Sequence, residues 1–283
     1  MTIADHLAAA RRRFEDAAIP PSEAALDADL LARHVLGWDR AALVTRRREE
    51  PPPGFQAPFE ALVARRANRE PAAYILGERE FWGLPFEVTR DVLIPRPETE
   101  LIVEEALVAF GGGTPPATVI DVCTGSGCLA VTLAREFGGA EFIATDISEA
   151  ALDVARRNAQ RHHVAPRIAF RAADLFDGIS ARADLIVSNP PYVRDGDRAN
   201  IQPEVRFEPS GALYAGVDGL DVIRRLVPQS VERLTRGGTL MFEFGFGQAD
   251  AVSELILSAA ALTMVGQRSD LQGIPRVAIA KKQ

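Results

Sequence analysis

The sequence predicts a small N-terminal helical domain followed along the chain by a doubly wound α/β domain, which is built on a mainly parallel sheet of seven strands. After about residue 90, short apolar runs typical of strands alternate with segments of helical periodicity. Before about residue 80, the apolar residues recur at helical spacing. Because a helix that joins two parallel strands forms a right-handed crossover, the alternation places helices on both faces of one sheet.

The N-terminal segment has the periodicity of packed helices. Leu26 and Leu30 lie one helical turn apart, with Ser22 as the expected N-cap and Gly37 just past the expected helix end. We therefore predict a small helical domain over residues 1–80.

A short hairpin is predicted to link the helical and α/β parts. Residues 81–88 alternate in short apolar runs typical of strands. The predicted divisions are a helical domain, 1–80, a hairpin linker, 81–93, and an α/β domain, 94–283. The predicted strands of the α/β domain are Thr118–Val122, Glu141–Thr145, Arg167–Arg171, Asp184–Ser188, Thr239–Glu243, Leu262–Val265 and Val277–Ala280.

Composition and charge narrow the possible functions. The apolar fraction of 47% is ample for a packed core, and the net charge of −7 argues against broad binding of nucleic acid through its phosphates. No apolar run approaches a membrane span, and the N-terminus lacks the pattern of an export signal, so we expect a cytoplasmic protein. Cys123 and Cys128 show no metal-ligand spacing with the four histidines, so no metal is expected.

A glycine-rich segment follows the first predicted strand. In "DVCTGSGCLA", residues 121–130, Gly125, Gly127 and Ala130 fit the spacing of a turn that lets a ligand approach the backbone. The second strand leads to Asp146, 21 residues after Gly125, where a carboxylate accepts hydrogen bonds from ribose hydroxyls. The pattern predicts an adenosyl cofactor, either NAD or S-adenosyl-L-methionine (SAM).

Two further carboxylates bear on the choice of cofactor. Asp121 ends the first strand, where it would repel a pyrophosphate but attract the cationic methionine tail of SAM, so SAM is favoured. After the third strand, Asp174 is placed to accept from an adenine amino group and Leu175 to cover the ring. The alternative for Asp174 is an ordinary solvated turn.

The segment "SNPPYV", residues 188–193, follows the fourth predicted strand. Two prolines hold the backbone rigidly where the strand ends. The Asn189 side-chain carbonyl and the Pro190 backbone carbonyl can each accept one hydrogen of a planar amino group, against which Tyr192 can pack. This arrangement suits an amide or aryl amine, whose lone pair it would orient for methyl transfer. The alternative is a merely structural Pro-Pro turn.

Eight segments of the chain occur in the order found in one enzyme family. They are "PAAYILGEREFWGL" (71–84), "IPRPETE" (94–100), "DVCTGSG" (121–127), "TDIS" (145–148), "SNPPYV" (188–193), "VRFEPSGAL" (205–213), "GVDGL" (216–220) and "DLQGIPRV" (270–277). With them the chain resembles the class I SAM-dependent methyltransferases, and more closely the release-factor glutamine methyltransferases of the PrmC/HemK type. The resemblance implies a Rossmann-like methyltransferase sheet, SAM as cofactor and S-adenosyl-L-homocysteine as product.

The resemblance also implies roles for individual residues. It implies that the loop from Cys123 to Gly127 wraps the methionine part of SAM. The implied cofactor-binding residues are Asp121, Cys123, Thr124, Gly125, Ser126, Gly127, Asp146, Ile147, Asp174, Leu175 and Asn189. The implied catalytic residues are Asn189, Pro190 and Tyr192, and the implied substrate-binding residues are Asn189, Pro190, Pro191 and Tyr192. Arg206 and Glu208 of "VRFEP" are further candidates for substrate binding. Arg206 either lines a peptide entrance or pairs with an acid. Val122 and Cys123 replace the family's commoner Leu-Gly.

In the family, the substrate is the glutamine of the Gly-Gly-Gln loop of peptide-chain release factors, methylated at N5, and the helical domain helps to dock that protein. The expected partner is therefore a release factor, with no membrane and no direct nucleic-acid binding. Three alternatives stay open: a glutamine methyltransferase of ribosomal protein L3, an amino-methyltransferase of DNA or RNA, and a non-catalytic SAM-binding adaptor.

Overall fold

The computed structural model describes residues 1–283, which form two compact units. The first unit comprises Met1–Glu78 together with Gln202–Phe207, and the second comprises Arg79–Ile201 together with Glu208–Gln283. The predicted α/β domain, 94–283, included residues 202–207, which the structure instead places with the helices. Within the first unit, Glu204 accepts hydrogen bonds from Arg66 and Arg69, which explains this placement.

The first unit is a set of helices around its own apolar core. Its helices are α1 (Ile3–Asp16), α2 (Pro21–Leu36), α3 (Arg40–Arg46), α4 (Gln56–Ala67) and α5 (Ala72–Leu76). The buried core includes Phe14, Leu31 and Phe59. Gly37 lies just past the end of α2, as predicted, and adopts the left-handed conformation. Ser22 is not the N-cap, because α2 begins one residue earlier at a proline, whose fixed φ already suits the first turn.

The second unit begins at the second residue of a two-stranded hairpin and continues with alternating helices and strands. Its hairpin is β1 (Glu78–Phe81) and β2 (Leu84–Glu87), slightly earlier than the predicted linker at 81–93. The following elements are α6 (Glu100–Phe110), β3 (Thr118–Val122), α7 (Cys128–Glu136), β4 (Glu141–Asp146), α8 (Glu149–Arg161), β5 (Ile168–Ala172), β6 (Ala183–Ser188), α9 (Asp221–Arg233), β7 (Leu234–Glu243), α10 (Ala249–Ser258), β8 (Leu262–Ser269) and β9 (Pro275–Lys282).

The main sheet has seven strands in the order β5-β4-β3-β6-β7-β9-β8. All neighbours pair in parallel except β9, which pairs antiparallel with β7 and with β8. The predicted seven-stranded, mainly parallel sheet is thereby confirmed. The chain order reverses between β3 and β6, and loops at such a switch point diverge to leave a crevice. Val122 at the end of β3 pairs with Thr145 of β4 and Ser188 of β6, so three strand ends meet there.

Candidate active site

A cavity of about 310 Å³ lies within the second unit, at the carboxyl ends of the parallel strands. It is lined by the loops that follow β3, β4, β5 and β6, as expected for the switch point of a doubly wound sheet. The predicted site residues that line it are Cys123, Thr124, Gly125, Ser126, Asp146, Ile147, Asp174, Leu175, Asn189 and Pro191. The structure therefore brings residues from four separate loops to one site of ligand-binding size.

Asp121 holds the loop after β3 in place. The Thr124 hydroxyl donates to Asp121 Oδ2 over 2.6 Å, and the Ala130 backbone N–H donates to the same oxygen over 3.1 Å. Asp121 does not line the cavity, but its Oδ1 is buried without a hydrogen-bond partner. Burial raises the pKa of this carboxyl to about 7, although both hydrogen bonds act to lower it. A cation would satisfy the remaining oxygen.

The two glycines of the loop have different surroundings. Gly125, at φ +54°, lines the cavity and donates its N–H to Asp146 Oδ2 over 2.9 Å. A Cβ at Gly125 would meet nothing within 4 Å, which leaves space for a ligand against the backbone. Gly127, at φ +80°, does not line the cavity, and a Cβ there would lie 3.0 Å from the Cβ of Ala155 on α8. Gly127 therefore lets the start of α7 approach α8.

Replacing Gly127 by alanine is expected to destabilise the second unit by about 2–3 kcal/mol, because it combines a left-handed backbone with a steric overlap. Hydrogen exchange of the α7 amides in Gly127→Ala would measure the loss. Gly178→Ala is the matched control, since Gly178 has a φ of +73° but no neighbour within 4 Å of an added Cβ. Equal losses in the two variants would contradict the role of the Ala155 contact.

Asp146, at the end of β4, is also oriented by backbone donors. Its Oδ2 accepts from Gly125 and its Oδ1 accepts from the Ser148 N–H over 2.9 Å. Burial raises the pKa of Asp146, while these hydrogen bonds act to lower it. Each carboxylate oxygen keeps a second lone pair, so the group can still accept from a ligand hydroxyl. The adjacent Ile147 is 76% exposed and lines the cavity, so a flat ligand could cover it.

Asp174 has a charged partner that the sequence did not reveal. Its Oδ2 accepts from Arg225 Nη2 over 2.8 Å, and both side chains are partly exposed. Arg225 lies on α9, 51 residues further along the chain, and it also lines the cavity. Leu175 is 4% exposed and has a φ of +54°, so the backbone turns sharply under the cavity. The adenine contact of Asp174 stays a prediction.

A hydrogen-bonded cluster lies behind the end of β6. Asn189 Nδ2 donates to Thr99 Oγ1 over 2.9 Å, and the Thr99 hydroxyl donates to Glu243 Oε2 over 2.6 Å. The Tyr192 hydroxyl donates to Glu243 Oε1 over 2.7 Å. Glu243 is 1% exposed at the end of β7, and burial raises the pKa of its carboxyl. Neither Glu243 nor Thr99 was a predicted site residue. The signals in the sequence were a charged residue that ends an apolar strand and the position of Thr99 within "IPRPETE".

The residues of the NPPY segment face different surroundings. Asn189 and Pro191 line the cavity, whereas Pro190 and Tyr192 do not. The Tyr192 hydroxyl is directed to Glu243, and burial raises the pKa of this phenol well above its usual value. The predicted contacts of the Pro190 carbonyl and the Tyr192 ring with a substrate stay predictions.

Arg206 and Glu208, which were predicted to bind substrate, do not line the cavity. Glu208 is 6% exposed and accepts hydrogen bonds from the Arg96 guanidinium and from the Ile94 N–H. It therefore secures the segment that precedes α6. Arg206 lies in the first unit and is exposed. A role in substrate binding stays a prediction for both residues.

The structure contains no alternative centre of metal or disulfide chemistry. No group of three or more His, Cys, Asp and Glu side chains is arranged to hold a metal ion. Cys123 and Cys128 are both free, and burial raises the pKa of each thiol, to about 12 for Cys128.

None of the helices combines the length and the apolar character needed to cross a membrane.

Comparison with solved structures and family models defines the class of protein. The hMettl16 catalytic domain in complex with MAT2A 3′UTR hairpin 1 is similar with a TM-score of 0.57 at 18% identity, over 78% of this chain and 80% of that chain. At this identity the likeness concerns the fold alone. The model "Methyltransferase small domain" matches residues 100–206, and "PrmC N-terminal domain" matches residues 5–77. The fold is that of a Rossmann-like methyltransferase.

Curated relatives define the family. The chain is 45% identical to the release factor glutamine methyltransferase of Cereibacter sphaeroides, over 99% of both chains. It is 44% identical to the protein of the same name from Bordetella pertussis, over 93% of this chain and 97% of that protein. The chain therefore belongs to the release factor glutamine methyltransferase family, which confirms the resemblance of its motifs.

Proposed function

We propose that this protein transfers a methyl group from SAM to the side-chain amide nitrogen, N5, of the glutamine in the Gly-Gly-Gln loop of peptide-chain release factors. This proposal rests mainly on the position and orientation of the Asn189 side chain. It lines the cavity while its amino group is bonded to Thr99, which leaves its carbonyl oxygen to accept from an amide. Residues 1–80 are proposed to help dock the release factor.

The residues around the cavity fit SAM better than a dinucleotide. Asp146 and Asp174 line the cavity, and the loop beside them is held by Asp121. Carboxylates would repel a pyrophosphate but favour a sulfonium and an ammonium. In the proposed arrangement Asp146 accepts from the ribose hydroxyls, the charge of the buried Asp121 beneath the loop attracts the methionine ammonium, and Leu175 covers the adenine. SAM supplies an electrophilic methyl group on its sulfonium.

The proposed catalysis depends on orienting a poor nucleophile. The lone pair of a primary amide is delocalised into its carbonyl, so the nitrogen attacks only when it is correctly aligned. Asn189 Oδ1 and the Pro190 carbonyl would accept hydrogen bonds from the two N–H groups of the substrate amide. These bonds increase the electron density on the nitrogen and direct its lone pair toward the methyl carbon. The methylated nitrogen is acidic and releases its proton to a nearby acceptor or water, so no strong general base is needed.

Mass spectrometry of a purified release factor tests the proposal. The release factor is incubated with this protein and SAM, beside a control in which Gly-Gly-Gln is replaced by Gly-Gly-Ala. A gain of one methyl group on that glutamine, absent from the control, is the expected result. Methylation of ribosomal protein L3 or of a nucleic acid instead would overturn the choice of substrate, and transfer to none of them would leave a SAM-binding adaptor.

The affinity for SAM is expected to increase by about eightfold from about pH 6 to about pH 7.5, because Asp121 must ionise to attract an ammonium. Its pKa of about 7 in the free protein means that the carboxyl is mostly protonated at the lower pH and mostly ionised at the higher. Calorimetric titration of SAM at several pH values would measure this change. Asp121→Asn should bind SAM more weakly and with a flat pH profile; a profile like that of the wild type would contradict the pairing.

A further inference from the structure

Glu243 and Thr99 form a directional chain of hydrogen bonds that ends at the side chain of Asn189. The Thr99 hydroxyl donates its single proton to Glu243 Oε2, 2.6 Å away, and a carboxylate in its ionised form can only accept. Thr99 Oγ1 is then able only to accept from Asn189, 2.9 Å away. The Asn189 amino group must face Thr99, and its carbonyl oxygen is left for the cavity.

The opposite orientation of the Asn189 amide is disfavoured while the Thr99 hydroxyl donates to Glu243. If Asn189 were rotated by a half-turn, its Oδ1 would lie against Thr99 Oγ1 with no proton between the two oxygens. Its amino group would instead face the cavity, where it would oppose the amino group of an incoming amide. Two acceptor oxygens that face each other repel, and the hydrogen bond between Asn189 and Thr99 is lost.

We propose that Glu243, acting through Thr99, is a positioning residue that holds the Asn189 carbonyl toward the substrate amide. This inference rests on the proposed function and adds two residues to its mechanism. The same carboxylate accepts from Tyr192 over 2.7 Å, so one buried group fixes both the asparagine and the tyrosine of the NPPY segment. Glu243 lies at the end of β7, the strand next to β6.

Glu243→Gln is the most direct test, because glutamine has nearly the same shape but carries two donors. The hydroxyls of Thr99 and Tyr192 both keep an acceptor only if the new amino group faces Thr99 and the new carbonyl accepts from Tyr192. Thr99 would then direct its proton at Asn189, which would turn its own amino group toward the cavity. We expect kcat for release-factor methylation to fall by about tenfold or more, with the SAM affinity unchanged.

The orientation of the Asn189 side chain can also be tested separately, through inhibition by an altered release factor. A release factor with Gly-Gly-Glu in place of Gly-Gly-Gln presents a carboxylate, which an inward Asn189 carbonyl disfavours and an inward amino group favours. We expect this release factor to inhibit Glu243→Gln several-fold more strongly than it inhibits the wild type. A role of Glu243 in folding alone would not change this ratio. Equal inhibition of both proteins, or an unchanged kcat, would overturn the proposal.

Substitutions of Thr99 provide a second, independent test. Thr99→Val removes the hydroxyl that connects Glu243 to Asn189, and Thr99→Ser retains it. The kcat of the serine variant should therefore be at least about tenfold higher than that of the valine variant. Thr132→Val is the matched control, because the buried Thr132 hydroxyl has no hydrogen-bond partner. Equal activities of the valine and serine variants would overturn the proposal that Glu243 acts through Thr99. If the wild type itself methylates no release factor, the proposed function fails instead, so the two failures are distinguishable.

Discussion

The rate of methyl transfer by Asn189→Ala should be about a hundredfold to a thousandfold lower than that of the wild type. This is the range seen when a group aligned with the transition state is removed. The alanine variant has no side-chain acceptor for the substrate amide, so the nitrogen is neither polarised nor aligned. The dissociation constant of SAM should stay within about twofold, because the predicted cofactor contacts come mainly from the loops after β3, β4 and β5. Single-turnover methylation and calorimetric SAM binding measure the two quantities on one preparation.

The control for this variant is Gln160→Ala, which removes another amide side chain from an exposed position on α8. Its methyl transfer should match that of the wild type. Methyl transfer by Asn189→Ala at the wild-type rate would contradict the proposed mechanism. Loss of SAM binding together with methyl transfer would instead give Asn189 a mainly cofactor-binding role.

Arg66→Met should destabilise the helical unit by about 3–5 kcal/mol, the usual cost of removing one partner from a buried ion pair. Arg66 is 1% exposed and donates to three carboxylates, Asp27 over 2.6 Å, Glu23 over 2.7 Å and Glu204 over 2.8 Å. Without the guanidinium, the buried Asp27 carboxylate lacks its counter-charge. Hydrogen exchange of the amides in α2 and α4 would measure the loss within the full chain.

A matched variant separates burial from charge. Arg156→Met removes an arginine that pairs with Glu149 and Asp153 on the surface, and it should change stability by less than about 1 kcal/mol. Adding Asp27→Asn to Arg66→Met should recover part of the loss, because the unpaired charge is removed. Similar small losses in the two arginine variants would contradict a structural role for the buried cluster.

Local sequence patterns were sufficient to predict the sheet and most of the cavity. The central strands of a parallel sheet are buried on both faces, so they appear as short apolar runs such as residues 118–122 and 184–188. Gly125, Asp146 and Asn189 each lie just after such a run. Because the carboxyl ends of parallel strands share one edge, predicting the strands also predicts that these side chains converge.

Long-range partners were decided only by the tertiary structure. Thr99 and Glu243 are 144 residues apart, and Arg225 and Asp174 are 51 residues apart, yet each pair is hydrogen-bonded. No periodicity or spacing links such residues, because their proximity depends on strand order and helix packing.

The helical unit illustrates the same limit. Its helices are predicted from local periodicity, but its buried arginine is neutralised partly by Glu204, which lies 138 residues further along the chain. The sequence by itself determined the elements, the strand-end loops and the family of this protein, because these depend on short-range patterns. The tertiary structure alone decided which charges are paired and which way Asn189 faces, because a buried polar group is satisfied by whatever the fold brings next to it.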